Sequence, residues 1–503
     1  MGREEEIVKE RMRKIEELRK QGTNPYPHQF DKKDSADELQ EKYKKLKSGE
    51  NTKNKAKISG RVMIIRDIGK LIFVDLQDEK AKIQLQLQKD ETPDKQIDFF
   101  KKYVDTGDFV GAEGTIIRTK RGELTIMVKD IILLSKSILP LPEKWHGLQD
   151  KEERYRKRYL DLIMNPEVKD IFRKRCQIID EIKTFLKENG FLEVETPALQ
   201  SIYGGASARP FTTHLNALDI DLFLSISPEL YLKRLIVGGY EKVFTICKNF
   251  RNEGIDAFHN PEFTMLEFYY AYQNYEKLIE MAEVLFKQLK KKLGLKDEIE
   301  YNGKKINLKI PFKRIKFRDL VLDKTKIDID KANNFEKLKK EIESKKLKDV
   351  DINNCKHYGA LLDELYKRIA RPSLIQPTIL THYPVEMIAL AKRNEKDPKK
   401  INTFQLIING AEIIKAYDEL NDPIDQEKRL KEQAKLLGSG DREAMPMDED
   451  FVNALKVGMP PTAGFGMGID RLTMLLTNSP SIRDVILFPF MKPEKIGEEE
   501  KKK

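Results

Sequence analysis

The sequence predicts an α+β protein with at least two domains, in which a small β-barrel precedes a larger mixed domain. Its 503 residues exceed what one hydrophobic core organises, and 40% of them are hydrophobic. Short β-type runs fill residues 57–134. Beyond residue 159, helical and β-type patterns alternate nearly to the C-terminus.

Composition narrows the functional classes. Lys and Arg number 93 against 83 Asp and Glu, a net charge of +10 that suits a polyanionic partner, although solvated surface alone can carry it. No apolar run reaches the roughly 20 residues of a membrane span, and the charged N-terminus lacks the apolar centre of a signal peptide. We therefore expect a cytoplasmic protein without a membrane partner. The separation of Cys176, Cys247 and Cys355 predicts neither a disulfide framework nor a zinc site.

Residues 1–55 are predicted to form a basic, helical N-terminal extension. Within residues 3–20, Ile7, Met12, Ile15 and Leu18 recur near the spacing of one helical face. Two interpretations stay open: that the helix packs on the next domain, and that its Lys and Arg side chains follow a phosphate backbone.

The barrel is predicted over residues 56–139. Turn sequences separate five β-type runs, at residues 58–65, 71–76, 82–88, 108–118 and 123–134. This strand number and size fit an OB-fold, which commonly binds single-stranded nucleic acid through stacked rings and basic side chains. Phe73, beside Arg66 and Lys70, is a candidate for such a contact, with a place in the barrel core as the alternative.

The second domain is predicted over residues 159–497, after a linker at 140–158 that two prolines stiffen. It begins with a helix near residues 168–189, which Gly190 ends. A Lys-rich stretch near 289–351 is predicted to be a surface insertion, and residues 498–503 to be a solvated charged tail.

Two strands joined by a loop carry the first candidate site. The strands are predicted at residues 243–250 and 262–272. Period two then places four side chains on one face: Phe263, Met265, Glu267 and Tyr269. Such a surface suits a purine nucleotide, because a ring can stack on the base while Arg251 binds a phosphate bidentately and His259 reaches an outer phosphate. Taken singly, Arg251 and Glu253 could equally form a surface ion pair.

A glycine-rich segment, Gly-Phe-Gly-Met-Gly at residues 464–468, is the second candidate site. Its spacing and the absence of a βαβ pattern disfavour a dinucleotide site. The glycines instead allow the backbone to approach a nucleotide closely, and Arg471 then lies in the first turn of a helix predicted over residues 469–476.

These segments resemble the class II aminoacyl-tRNA synthetases. Residues 190–197, 251–267 and 464–471 are similar to motifs 1, 2 and 3 of that class, in the same order. Residues 203–211, 228–234 and 419–422 are similar to lysyl-tRNA synthetases in particular. The resemblance implies an OB-fold anticodon-binding domain, a class II domain with an antiparallel sheet, and a homodimer formed through motif 1. It also implies that ATP and L-lysine form a lysyl-adenylate whose lysyl group passes to tRNA(Lys).

The resemblance also implies roles for individual residues. Arg251 and Arg471 would be catalytic. The ATP-binding set would be Arg251, Glu253, His259, Phe263, Glu412 and Arg471. The lysine-binding set would be Gly205, Glu229, Arg251, Glu267, Tyr269, Lys415 and Glu419. The anticodon-binding set would be Arg66, Phe73, Gln84 and Glu123. Mg²⁺ would be the cofactor, with Glu412 as a ligand and Gln405 at the position of a second one.

The chain departs from the family pattern near this metal site. Gln405 stands where the family has a metal-ligating glutamate, and Lys415 stands where it has an asparagine. A further departure is Glu386-Met-Ile-Ala-Leu, where Glu-x-Ser-Pro-Leu is usual. These departures bear on the number of Mg²⁺ ions and on the contact to the substrate carboxylate.

Two other functions compete with lysylation. An aspartate or asparagine enzyme shares the barrel and the general motifs, but Glu267 and Glu419 disfavour it because an acidic substrate calls for cationic groups. A nucleic-acid-binding regulator with an inactive synthetase domain would account for Gln405 and Lys415. The intact nucleotide-binding residues, with Arg251 first among them, weigh against that alternative.

Overall fold

The computed structural model describes residues 2–142 and 148–493. Contacts divide the chain into two compact units, Met1–Leu148 and Gln149–Lys503. Residues 143–147, inside the predicted linker 140–158, and the predicted tail 498–503 lie outside the described residues. Among the described residues, no helix combines the length and the apolar character that a membrane span requires.

The first unit contains a five-stranded barrel that closes on itself within residues 2–142. Its strands run in the order β1-β2-β3-β5-β4, and β4 pairs with β1 to complete the ring. The strands are β1 (Asn51–Asp67), β2 (Leu71–Gln77), β3 (Lys82–Gln88), β4 (Phe109–Arg118) and β5 (Leu124–Ser135). Three helices accompany them: α1 (Arg3–Lys20), α2 (Ala36–Lys42) and α3 (Asp94–Tyr103). The predicted OB-fold is therefore confirmed.

Helix α1 packs against the barrel. Ile15 and Leu18 are buried, and Leu18 belongs to the barrel core. Met12 was predicted on the same face but is exposed, because Arg11 occupies the buried position instead. The Arg11 guanidinium donates hydrogen bonds to the carbonyls of Thr106, Ser137 and Leu139, so packing explains why this helix is amphipathic.

The second unit is built on an eight-stranded sheet within residues 148–493. Its strand order is β14-β15-β16-β17-β18-β11-β10-β6, and the pairs are antiparallel except β14 with β15 and β10 with β6. The strands of this unit are β6 (Leu192–Glu193), β7 (Leu199–Gln200), β8 (Thr212–Leu215), β9 (Ile220–Leu224), β10 (Lys242–Phe250), β11 (Glu262–Ala271), β12 (Glu298–Tyr301), β13 (Lys304–Asn307), β14 (Lys313–Lys316), β15 (Thr378–Thr381), β16 (Thr403–Ile408), β17 (Ala411–Asp418) and β18 (Thr462–Gly468).

Helices cover the sheet. They are α4 (Lys151–Arg156), α5 (Arg158–Met164), α6 (Glu167–Glu188), α7 (Glu229–Val237), α8 (Tyr275–Lys292), α9 (Phe317–Thr325), α10 (Phe335–Ser344), α11 (Tyr358–Leu365), α12 (Pro423–Gly438), α13 (Glu449–Val457) and α14 (Ile469–Thr477). Residues of α6, α8 and α14 form one core with Leu266 and Phe268 of β11. Since side chains alternate along a strand, Glu267 and Tyr269 face the other side of the sheet.

The Lys-rich stretch 289–351 differs from a simple surface insertion. Its strand β14 pairs with β15 at the edge of the main sheet. Its apolar side chains enter a second core, among them Phe317, Leu320, Val321, Leu338 and Ile342. The many lysines dominate the composition of this stretch, while apolar residues at helical spacing fix it to the domain.

Candidate active site

One cavity of about 870 Å³ collects the site residues that the sequence indicates in the second unit. Strands β11, β16, β17 and β18 supply most of its floor, and the loop between β10 and β11 contributes His259. Thirteen predicted residues line it: Gly205, Glu229, Arg251, Glu253, His259, Phe263, Glu267, Tyr269, Gln405, Glu412, Lys415, Glu419 and Arg471.

Strand register explains this convergence. Glu267 of β11 lies opposite Gly466 of β18, which lies opposite Lys415 of β17, which lies opposite Gln405 of β16. Partners in register project from the same face of a sheet. Three strands, β11, β17 and β16, therefore deliver one row of polar side chains into the cavity, and Gly466 of β18 leaves space within that row.

The glycines of β18 make room for their neighbours. A Cβ on Gly464 would lie 1.9 Å from Glu419 Oε1 and 2.7 Å from Tyr269 Cε1. A Cβ on Gly466 would lie 2.8 Å from Met265 Cε. These glycines are therefore required by the side chains that line the cavity, in addition to the backbone approach to ATP that the sequence suggests.

A buried carboxyl group, Glu267, forms one end of the cavity. The hydroxyl of Ser227 donates to its Oε1 at 2.7 Å, and the hydroxyl of Tyr269 donates to its Oε2 at 3.2 Å. Burial and the neighbouring Glu229 carboxylate raise the pKa of Glu267 to about 8. A cationic ligand group placed here would reverse that effect and hold the carboxylate ionised.

Two further buried glutamates, Glu229 and Glu419, lie near Glu267. Glu229, at the start of α7, accepts hydrogen bonds from the Tyr417 hydroxyl at 2.8 and 2.9 Å and from Lys233 Nζ at 2.5 Å. Lys233 Nζ also forms an ion pair with Glu419 Oε2. Glu419 Oε1 is buried and has no hydrogen-bond partner among the described residues. An unpaired buried carboxylate oxygen is costly, so it marks a position for a ligand cation.

Arginines and one histidine form the other end. The Arg251 guanidinium lies 5.0 Å from the centre of the Phe263 ring. Within the described parts of the chain its hydrogen bonds are long, 3.3 and 3.4 Å, and both go to the Ile226 carbonyl. Burial lowers the pKa of Arg251 from its ordinary value. Since an arginine stays charged in proteins, its donors are available for an anion.

Arg471 is held by a short polar chain. Its Nη1 donates to the Glu412 carbonyl at 3.2 Å, and its Nη2 lies 3.1 Å from His259 Nε2. His259 Nδ1 lies 2.8 Å from Asp256 Oδ2. Because a carboxylate only accepts, Nδ1 donates to Asp256 and Nε2 is left to accept from Arg471.

Several residues of the site escaped the sequence reasoning. The Asp470 carboxylate forms an ion pair with Arg175 Nη1 at 2.6 Å and accepts a hydrogen bond from the Thr264 amide at 2.6 Å. These contacts fix α14, which carries Arg471, to β11, which carries Phe263. Ser227, Lys233 and Tyr417 contact the predicted glutamates. Of these three, Lys233 alone carried a sequence signal, because it lies in the segment 228–234 that resembles the lysyl-tRNA synthetases.

The predicted metal ligands fit a protein-held Mg²⁺ poorly. Gln405 Oε1 accepts hydrogen bonds from the hydroxyls of Tyr383, at 2.7 Å, and Tyr366, at 3.3 Å. Its cross-strand partner is the cationic Lys415, which leaves Glu412 as the one carboxylate of the predicted pair. Within residues 2–142 and 148–493, no group of three or more His, Cys, Asp or Glu side chains could hold a metal ion.

The predicted anticodon residues occupy the barrel. Arg66 lies opposite Phe73, and Gln84 lies opposite Thr125 of β5, whose hydroxyl donates to Gln84 Oε1 at 3.1 Å. Phe73 is half-buried and projects away from Ile72 and Val74, which fill the core. Glu123 is exposed just before β5. The core alternative for Phe73 is therefore wrong.

Comparisons with known proteins agree with this architecture. A family model described as tRNA synthetases class II (D, K and N) matches residues 150–492, and one described as an OB-fold nucleic acid binding domain matches residues 56–134. A protein of Thermotoga maritima named lysine–tRNA ligase is 47% identical over 98% of each chain. Lysine–tRNA ligase 2 of Methanosarcina mazei is 47% identical over 96% of this chain and 94% of its own, and the lysine–tRNA ligase of Gloeobacter violaceus is 46% identical over 98% and 99%. The chain belongs to the class II tRNA synthetases.

Proposed function

We propose that this protein is a lysine–tRNA ligase that uses ATP to form a lysyl-adenylate and then charges tRNA(Lys). The observation that carries the proposal is the polarity of the cavity. Glu267 and Glu419 Oε1 offer buried acceptors at one end, whereas Arg251 and Arg471 offer donors at the other. Free lysine has ammonium groups for the first end, and its carboxylate can meet ATP at the second.

The proposed first step is attack by the lysine carboxylate on the α-phosphorus of ATP. A bond forms between a carboxylate oxygen and phosphorus, and the bond to the bridging oxygen breaks, so that pyrophosphate leaves. Arg251 holds the two anions together and stabilises the negative charge that develops on the α-phosphate. Phe263 stacks on the adenine, Glu253 and Glu412 bind the nucleotide beside it, and Arg471, with His259, binds the outer phosphates.

The proposed lysine subsite uses both ends of the amino acid. Glu229 and the Gly205 carbonyl bind the α-ammonium, while Glu267, Tyr269 and Glu419 bind the ε-ammonium. The lysyl group then passes to the terminal adenosine of the tRNA, and AMP leaves. Arg66, Phe73, Gln84 and Glu123 bind the anticodon on the barrel.

Lysine-dependent exchange of pyrophosphate into ATP tests this proposal. Exchange with lysine, and none with aspartate or asparagine, is the expected result. Exchange with aspartate or asparagine instead would favour the competing ligase. Retained tRNA binding without exchange of any amino acid would favour the inactive regulator.

For the metal, we propose that Gln405 and Lys415 are a coupled change. Relative to the family pattern, the glutamine removes one negative charge and the lysine adds one positive charge, a shift that equals the charge of one Mg²⁺. The hydrogen bonds of Gln405 to two tyrosines support this, because its Oε1 is already engaged. Lys415 then neutralises phosphate or substrate carboxylate oxygens that a metal ion would otherwise meet.

Mg²⁺ titration of three proteins tests this coupling. We expect exchange activity to need fewer Mg²⁺ ions than the family pattern implies. Lys415→Asn alone should be more damaging than Lys415→Asn combined with Gln405→Glu, because the double change restores a carboxylate ligand. Identical Mg²⁺ dependence of the single and double variants would show that the positions are not coupled.

We also propose a cytoplasmic homodimer, since the segment that resembles motif 1 includes β6 at one edge of the main sheet. Five exposed apolar residues lie in the segment and within the thirty residues after it: Leu192, Leu199, Ile202, Leu218 and Ile220. Exposed apolar side chains are typical of an interface when they form one surface. Light scattering should give twice the 58.6 kDa of one chain, and a mass of one chain would contradict the dimer.

A further inference from the structure

A fully buried lysine, Lys233, lies inside the cavity wall. It projects from α7, one turn after Glu229, and its Nζ lies 2.5 Å from Glu229 Oε1 and pairs with Glu419 Oε2. The rings of Tyr417 and Phe451 lie 5.9 and 5.8 Å from this ammonium. Burial acts to lower the pKa of Lys233, but the Glu229 and Glu419 carboxylates outweigh it and raise that pKa. The ammonium therefore stays charged.

This ammonium joins two carboxylates that arise from distant parts of the chain. Glu229 begins α7, whereas Glu419 directly follows β17. Without a cation between them, two buried carboxylates would repel each other, and one would take up a proton. Lys233 occupies Oε2 of Glu419 and leaves Oε1 directed at Gly464, where no side chain can fill the space.

The charges of the subsite can be counted. Three buried carboxylates, Glu229, Glu267 and Glu419, face one protein ammonium, so two negative charges remain when all three are ionised. Free lysine carries two ammonium groups. A bound lysine therefore balances the subsite, whereas an amino acid with one ammonium leaves a buried carboxylate unpaired, at a large cost in free energy.

We infer that Lys233 is a positioning residue that determines specificity: it holds Glu229 and Glu419 in place and sets the number of carboxylates left for the substrate to two. This inference rests on the proposed lysine-binding function and adds to it a residue that does not itself need to touch the substrate. Its role differs from that of Glu267, whose two oxygens accept hydrogen bonds from the neutral hydroxyls of Ser227 and Tyr269.

The test compares Lys233→Gln, Lys233→Arg and a control, Lys136→Gln, in full-length protein by lysine-dependent pyrophosphate exchange. Lys136 is another buried lysine held by two carboxylates, but it lies in the barrel unit. Lys233→Gln should raise KM for lysine on the order of 100-fold, since a buried ion pair is broken, and should leave KM for ATP unchanged. Lys233→Arg should restore much of the loss, and Lys136→Gln should lower the melting temperature without changing KM for lysine.

Three outcomes would count against the inference. If KM for lysine is unchanged in Lys233→Gln while the unaltered protein exchanges normally, the inference alone is overturned. If KM for lysine and KM for ATP rise by the same factor, Lys233 is a structural residue. If Lys233→Gln does not fold, Lys233→Arg decides the question. An unaltered KM for lysine in Lys233→Arg, at a reduced melting temperature, supports the requirement for a positive charge. Complete loss of lysine-dependent exchange in folded Lys233→Arg overturns it. Absence of exchange in the unaltered protein would instead contradict the proposed function.

Discussion

Two buried lysines, one in each unit, lie in opposite kinds of surroundings. In the barrel, Lys136 Nζ donates to the Tyr103 carbonyl at 2.8 Å and to Asp108 Oδ2 at 2.6 Å, and it also pairs with Asp105. Asp108 accepts further hydrogen bonds from the backbone amides of Asp105 and Ser137. Every charged member of this cluster has its partners inside the fold.

The cluster around Lys233 is incomplete by comparison. Glu419 Oε1 has no hydrogen-bond partner among the described residues, and Glu267 receives neutral hydroxyl donors only. Burial raises the pKa of Asp108 as well, but Lys136 and two amides oppose that rise. Buried charges that are satisfied stabilise a fold, whereas buried charges that are left unsatisfied are expected where a ligand completes them.

The largest effect is expected when the unsatisfied carboxylate, Glu419, is neutralised. Glu419→Gln should cost about 3 to 5 kcal/mol of lysine binding, because it removes a buried charged contact. It should spare ATP binding. The measurement is KM for each substrate in pyrophosphate exchange. The matched barrel change, Asp108→Asn, should lower the melting temperature and leave both KM values unchanged. Equal loss of lysine and ATP binding in Glu419→Gln would make Glu419 a structural residue or a metal ligand.

Two arginines, the buried Arg11 and the half-buried Arg251, extend the comparison. Arg11 of the barrel unit donates to three carbonyls at 2.8 to 3.1 Å, whereas Arg251 has one carbonyl at 3.3 Å or more. Arg251→Ala should lower kcat for exchange by roughly 10²- to 10³-fold, because its donors meet charge that develops in the transition state.

The control for this prediction is Arg11→Ala, which should reduce stability and leave kcat unchanged. Single-turnover measurements separate the chemical step from binding. Normal turnover of Arg251→Ala with only a raised KM for ATP would show that Arg251 binds the nucleotide without acting on the chemistry.

The sequence predicts a structural feature well when neighbouring residues determine that feature. Alternation and turn residues predicted the barrel strands closely, except that β1 begins at Asn51 instead of residue 58, since its polar start pairs with β4 without alternating burial. Period two predicted the cavity face of β11 correctly. Both results rest on backbone geometry that neighbouring residues determine.

Contacts between distant segments could not be predicted in this way. Nothing local in the sequence joins Lys233 to Glu419, or Gln405 to the tyrosines of other elements. The prediction of a surface insertion at residues 289–351 failed for a related reason. The composition of this stretch is dominated by lysines, although a few of its apolar residues pack into the core. Pairing across a fold depends on tertiary geometry, for which a single sequence carries little signal.

A smaller effect is expected in the barrel, because the proposed contact of Phe73 with tRNA lies on the outside of the barrel. Phe73→Ala should cost about 1 to 3 kcal/mol of tRNA binding through the loss of one stacked base, while lysine-dependent exchange stays intact. Filter binding and exchange assays measure the two effects. Phe109→Ala removes a different barrel ring, which is exposed and packs on Arg61, and should leave tRNA affinity unchanged. Equal loss of tRNA binding and exchange in Phe73→Ala would mean that the ring supports the fold.

The last and smallest expected effect concerns pH, and it follows from Glu267. Burial and the Glu229 carboxylate raise the pKa of this carboxyl to about 8, so the group keeps its proton at neutral pH until a cation pairs with it. The ε-ammonium of lysine binds the carboxylate form, and binding therefore releases a proton. Affinity for lysine should rise as pH increases toward 8 and then level off, and each pH unit below that value should cost up to about 1.4 kcal/mol. KM for lysine, measured between pH 6 and 8, should fall accordingly, and Glu267→Gln should remove the slope because its amide does not titrate. A KM that is flat over this range in the unaltered protein would show that Glu267 is already ionised before lysine binds, and its surroundings would then resemble those of the satisfied carboxylates in the barrel.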